Sequence, residues 1–145
     1  MTAPGTNPHP YLLDTNIVVH YVRGGPLGQR IEANYRLISG PVPPLISIVT
    51  EGEVRSLALQ FAWGAARLQQ MEYLLNAFVR IPLDAAGLIQ AYADLDAYSR
   101  SVGRRMGKND LWIAATARVT GATLLTTDND FDHLHPAFLD RDRIA

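Results

Sequence analysis

Apolar residues along this chain follow two rhythms. Short runs of three or four are bounded by proline or by an acid, and longer stretches carry apolar positions every three or four residues. The short runs are Tyr11–Leu13, Leu45–Ser47, Phe78–Ile81 and Thr123–Thr126. Pro10, Pro43-Pro44 and Pro82 punctuate them, as expected of buried strands. Helical spacing follows each run. Thr15-Asn16 can cap a helix to about Val22 that Gly24-Gly25-Pro26 ends, and a second helix is expected over Leu27–Ile38, before Gly40-Pro41. From Thr50, positions Val54, Leu57, Ala58 and Phe61 recur at helical spacing. After Gly64, residues Leu68, Met71, Leu74 and Leu75 share one face. Asp84 is read as the cap of a helix carrying Leu88, Ala91, Tyr92, Leu95 and Tyr98. Asn109 or Asp110 is read as the cap of one running to Val119, with Gly121 closing it. Asp130 to Leu139 reads as a turn of helix and a possible edge strand.

Strands alternating with helices predict an α/β fold, a three-layer α/β/α sandwich around a small parallel sheet. Crossovers should be right-handed. No repeat or linker divides the chain, so residues 11–145 are expected to form one domain. Residues 1–10, MTAPGTNPHP, read as a disordered tail, because they lack the basic and apolar regions of a signal peptide.

Composition narrows the chemistry. There are no cysteines, which excludes disulfides and thiolate metal sites and fits a cytoplasmic protein. No apolar run approaches the ~20 residues of a membrane span, so no membrane partner is expected. Lys and Arg number 13 against 14 acids, a net charge of −1. Any attraction to nucleic acid must therefore be local. Arg100, Arg104, Arg105 and Lys108 are the local candidates, and a solvated helix end is their plain alternative.

Four acidic positions stand at element boundaries: Asp14 in LLDTN, Glu53 in TEGEV, Asp110 in KNDLWIAATA, and Asp128 or Asp130 in TLLTTDNDF. In a parallel α/β sheet, strand ends and helix starts converge on one crevice at the carboxyl edge. Crowded carboxylates repel, and a divalent cation relieves the repulsion. Oxygen donors without thiolates favour Mg²⁺ or Mn²⁺ over Zn²⁺, and such a site suits hydrolytic phosphoryl chemistry. Each acid also has a structural reading. Asp14 can cap the helix after it. Thr50 and Glu53 match a capping box. Asp110 or Asn109 can cap, and Asp-Asn-Asp is good turn chemistry. His133 and His135 lack a third nitrogen ligand nearby, and His20 reads as a helix residue rather than a base. No P-loop and no G-x-S-x-G motif occurs.

Taken together, LLDTNIVVHYV, SIVTEGEVRSLA, IPLDAAGLIQAYADL and MGKNDLWIAATARVTGATLLTTDNDFDHL resemble the PIN-domain ribonucleases, specifically the VapC-type toxins of bacterial toxin–antitoxin pairs. The resemblance covers Tyr11 to Leu139, with the motifs in the family's order and spacing. It implies a metal-dependent endoribonuclease in which Asp14, Glu53, Asp110 and Asp128 are catalytic and bind Mg²⁺ or Mn²⁺. Asp130 is the alternative fourth acid. Thr15, Asn16, Asn109 and Thr126 would order these ligands, and Arg104, Arg105 and Lys108 would contact RNA phosphates. Glu51, about 200° around the helix from Glu53, should point elsewhere and be solvated. The family also implies a cognate antitoxin, operator DNA reached only through it, and a homodimer to which Trp63, Met71 and Tyr73 could contribute. An inactive domain that only binds a partner or operator, and a nuclease acting on DNA, are the competing readings.

Overall fold

The computed structural model describes residues 10–145; the expected N-terminal tail lies outside the described residues, apart from Pro10. Five strands form one parallel sheet in the order β3-β2-β1-β4-β5. They are β1 (Tyr11–Leu13), β2 (Leu45–Ser47), β3 (Val79–Ile81), β4 (Thr123–Thr126) and β5 (Arg141–Arg143). Six helices connect them: α1 (Thr15–Arg23), α2 (Pro26–Tyr35), α3 (Ile48–Gln60), α4 (Ala65–Ala77), α5 (Leu88–Ser101) and α6 (Lys108–Thr120). A short 3₁₀ turn, Asp132–Leu134, precedes β5. Leu134, the last residue of the turn, and Leu139 beyond it join the apolar core, and the edge strand begins only at Arg141, after the segment expected to hold it.

Strand alternation divides the core into two. Leu13, Ile46 and Leu125 face a cluster built from α1 to α4, whereas Leu12, Leu124 and Leu45 face one built from α5 and α6. Successive strand residues point to opposite faces, so the two clusters are the two outer layers of an α/β/α sandwich. The chain turns from β1 toward β2 on one side, yet β4 lies on the other side of β1. That divergence opens a crevice at the carboxyl ends of β1 and β4.

Helix starts differ from expectation in an informative way. Asp14 itself is the cap of α1, and its carboxylate accepts from the Thr15 N–H at 2.8 Å. Ser47 caps α3 through the Val49 N–H, which places Thr50 inside the helix and leaves no capping box for Glu53. Gly107 precedes α6 and Gly87 precedes α5, so Asn109, Asp110 and Asp84 cap neither helix. Helix α2 stops at Tyr35, where Arg36 enters the left-handed region at φ 52°. Gly28 lets α2 lie against the end of α1. A Cβ there would stand 2.6 Å from the His20 carbonyl oxygen.

Two of the residues proposed for a dimer surface are interior. Trp63 and Met71 are buried in the larger cluster, and Tyr73 alone is exposed. Glu51 is not free in solvent. It pairs with Arg55 at 2.9 Å and with Arg80 at 2.5 Å, tying α3 to β3, while Arg55 reaches on to Glu72 of α4.

Candidate active site

Asp14 follows β1 directly, and Asp128 comes two residues after β4 ends. Glu53 lies in the second turn of α3 and Asp110 in the first turn of α6. All four line one cleft of about 390 Å³. Asp130 lies beside it, in a smaller hollow with Asp110, Arg104, Arg105 and His133. The fold therefore gathers all five sequence-predicted acids around Asp110.

Hydroxyls and amides hold the acids in place. Thr126, fully buried on β4, donates to Asp14 Oδ2 at 2.7 Å and accepts from the Asp128 N–H at 3.0 Å. One side chain thus fixes the first acid and the backbone of the fourth. Thr15 donates to Glu53 Oε1 at 2.5 Å, and Asn109 donates to Oε2 at 3.0 Å. Both oxygens of Glu53 are occupied by neutral donors from two other helices. Donors of this kind fix the orientation of a carboxylate, as those around metal ligands do. Asn16 differs from them: its Oδ1 is buried in the cleft wall without a hydrogen-bond partner. A buried acceptor left unpaired is costly.

The electrostatics follow from this crowding. Burial pushes the Asp14 carboxyl up to about 6, against the lowering effect of its Thr126 and Thr15 hydrogen bonds and with further raising by Asp128 and Glu53. Burial raises Asp110 to about 7, and the charges of Asp14, Asp130, Asp128 and Glu53 add to it. Asp128 is also raised, by burial and then by Asp130. A bound cation or a proton would relieve the repulsion among carboxylates raised in this way by desolvation and by one another.

Among the described residues, no three His, Asp or Glu side chains close on one point as a ready-made metal cage. An open cleft of carboxylates still fits Mg²⁺, which keeps several waters and binds through one or two protein carboxylates together with substrate phosphate. The all-oxygen donor set and the orphaned Asn16 oxygen agree with that mode. The histidines do not compete for such an ion. His133 Nε2 lies 2.8 Å from the Ser99 hydroxyl, and His135 Nδ1 accepts from the Arg141 N–H at 3.0 Å. His20 lines the cleft wall, its pKa lowered by burial and by Arg23.

Among the basic candidates, Arg104 and Arg105 border the Asp110–Asp130 hollow, and Lys108 is exposed at the first position of α6. Arg100 instead pairs with Asp96 on its own helix. Sequence reasoning did not single out Arg23 and Phe61, which line the same cleft. The spacing from Thr50 places Phe61 on the apolar face of α3. Only the place where α3 stops, one residue before Phe61, shows that it turns outward.

The family model of the PIN domain matches residues 11–135. The chain belongs to the PIN-domain family. Among curated relatives of this PIN domain, Ribonuclease VapC4 of Mycobacterium tuberculosis is 39% identical over 88 residues, covering 59% of this chain and 67% of that protein. Among solved structures, VapBC-5 of Mycobacterium tuberculosis, a member of the VapBC family of toxin–antitoxin systems, superposes with a TM-score of 0.69 at 26% identity. It covers 94% of this chain and 100% of its own. VapBC2 of Rickettsia felis, bound to a DNA fragment from its promoter, gives a TM-score of 0.78 at 23% identity, covering 92% and 97%. This last likeness speaks for the fold.

Proposed function

We propose that this PIN domain is a metal-dependent endoribonuclease, the toxin of a toxin–antitoxin pair. The observation that carries the reading is the shared cleft of Asp14, Glu53, Asp110 and Asp128, in which burial and mutual repulsion raise Asp14 and Asp110 far above ordinary carboxylates. The curated relative with 39% identity is named a ribonuclease, and the VapBC neighbours are toxin–antitoxin complexes, which supports RNA as substrate and an antitoxin as partner.

Asp14, Asp110, Glu53 and Asp128 would hold Mg²⁺ or Mn²⁺, with Asp130 on the flank. A cation held there would supply charge to neutralise the acids and a lowered pKa for the attacking water, the chemistry of in-line displacement at phosphorus. The protein's own residues supply the geometry. Thr126 fixes Asp14 and the Asp128 backbone, and Thr15 with Asn109 holds both oxygens of Glu53. The buried, unpartnered Asn16 oxygen in the cleft wall would become a further acceptor where the side chain turns toward a bound water or substrate hydroxyl. Arg104 and Arg105 beside the cleft, with Lys108 exposed at the start of α6, would take flanking phosphates, which an acidic cleft would otherwise repel. A homodimer would set two such clefts on one particle.

Cleavage of single-stranded RNA should require Mg²⁺ or Mn²⁺ and stop in EDTA, with matched DNA cut far more slowly. Undiminished cleavage by a rigorously metal-free preparation would refute the mechanism. Equal cleavage of DNA would replace the substrate. Harmless expression of an enzyme active in vitro would remove the toxin role.

A further inference from the structure

Phe61 caps the carboxyl end of α3 and is 54% exposed. The chain holds it there by a tight helix ending. The Trp63 N–H bonds the Ala58 carbonyl at 3.0 Å and the Ala62 N–H bonds the Leu59 carbonyl at 3.2 Å, with Ala62 in the left-handed region at φ 50°. This is the Schellman arrangement, which favours glycine at the left-handed position. Alanine keeps the ending at a cost of about 1 kcal/mol or more. Trp63 turns into the core as Phe61 turns out. Arg23, the last residue of α1, places its guanidinium 5.4 Å from the Phe61 ring centroid. It makes none of the ion pairs formed among the described residues. Phe61 and Arg23 line the same cleft as the four acids.

We propose that Phe61 and Arg23 form a subsite for one unpaired nucleotide of the RNA beside the scissile phosphate. The ring stacks on the base, and the guanidinium takes the adjoining phosphate. The proposal deepens the ribonuclease reading and rests on it. Every base has a π-face, so an exposed aromatic accepts any of them, and a neighbouring cation supplies the charge that the backbone needs. In a chain of net charge −1, a cation free of carboxylate partners beside an exposed ring complements single-stranded nucleic acid in both respects. A cleft of about 390 Å³ falls within the ~300–1,000 Å³ of ordinary ligand sites. A subsite of this kind binds the strand independently of sequence and selects unpaired over paired nucleotides.

The test compares the parent with Phe61→Leu, Phe61→Trp and Arg23→Gln. The probes are short fluorescent single-stranded RNAs of mixed sequence and the same backbones made abasic. Binding is read by stopped-flow anisotropy in Mn²⁺ before cleavage proceeds, and kcat and KM are taken from the same RNAs. Phe61→Leu should weaken binding of the base-containing RNA about 5- to 150-fold, the range for one stacked base. KM should rise and kcat change little. Phe61→Trp should retain binding, and the abasic RNA should be indifferent to residue 61. Arg23→Gln should weaken both RNAs alike. Parent-like binding by Phe61→Leu overturns the subsite, as does an equal loss on the abasic backbone. So does an effect confined to affinity for the antitoxin encoded beside the gene, because the ring would then be a protein contact. A cleaving parent indifferent to residue 61 leaves the ribonuclease reading standing. A parent that binds bases through Phe61 but cleaves nothing keeps the subsite and removes that reading. Failure to bind or cleave overturns both.

Discussion

Replacing Asp110 with asparagine should stabilise the metal-free protein at neutral pH while abolishing its activity. Asp110 is half-buried, and its carboxyl is raised from 3.8 to about 7 by burial and then by Asp14, Asp130, Asp128 and Glu53. Between those two values the unfolded chain has released the proton and the native protein still holds it. Native stability therefore falls as pH rises from about 4 to about 7, then levels off. A shift of roughly three units is worth about 4 kcal/mol as an upper bound. Solvent screening of a side chain that is partly exposed brings it to about 2 kcal/mol. Against this, Asp110 sits in the first turn of α6, where a carboxylate gains about 0.3–1 kcal/mol from the helix dipole that asparagine forfeits. Repulsion and burial win, leaving a net gain of about 1–1.5 kcal/mol near pH 8. For a chain of this size that is about 2–6 °C in Tm. The two proteins should converge near pH 4. The assay is thermal melting across pH in EDTA, repeated with Mn²⁺ at neutral pH. An ion at about 100 times its Kd stabilises the parent by ~2.7 kcal/mol and should do much less for the mutant. Identical pH profiles in EDTA would show that Asp110 is not held protonated by its neighbours. Equal Mn²⁺ shifts would show that it is not a ligand.

Glu53→Gln should slow cleavage by ~10²-fold or more, the scale for losing one charged stabiliser, whereas Glu51→Gln should cleave like the parent and lose about 1 kcal/mol of stability for its weakened ion pairs with Arg55 and Arg80, read as a lower Tm. The reverse ranking of the two in a cleavage assay would mean that the second acid has been misplaced. Thr126→Val keeps shape but removes a donor to the buried Asp14 carboxylate; a lost charge-assisted bond of about 1.5–3 kcal/mol should cut kcat at least tenfold and raise the pH at which activity appears. Unchanged kcat and pH profile would reduce Thr126 to a packing residue. Ala62→Gly relieves a left-handed alanine and should raise stability by about 0.5–1 kcal/mol with cleavage unaltered, and a lower Tm would contradict the strained helix ending.

The sheet was legible because its strands are short apolar runs with abrupt ends, and four of the five stand where those runs are. Helix boundaries were less legible, because capping is read from side chains while the chain often caps with backbone or glycine. Thr50-x-x-Glu53 fits a capping box by pattern, but Ser47 caps first because β2 runs directly into α3. Glu53 is thereby released for Thr15 and Asn109. Gly107 does the same for Asp110. Asp14 fulfils its capping reading through one oxygen, which accepts from the Thr15 N–H, while the other accepts from Thr126 at the cleft. The site acids were legible as residues at element edges. Met71 misled because a methionine at helical spacing gives no sign of which face it serves, and Trp63 because it lies in the turn between α3 and α4, whose direction the pattern does not set; both face the core. Arg23 and Phe61 were invisible as a pair. They lie 38 positions apart, and only the packing of α1 against α3 joins them.

The division of the interior into two apolar clusters has a consequence for how the molecule comes apart. The layer of α1 to α4 and the layer of α5 and α6 meet across a sheet whose strands are three or four residues long. At the carboxyl edge they are stitched by the Asn109–Glu53 hydrogen bond. Asp14 and Glu53 belong to the first layer and Asp110 to the second. An ion gripped by both would act as a rivet, so that neither half could loosen alone. Amide exchange should then slow together in α3 and α6 when the cation binds, turning two partly independent opening units into one.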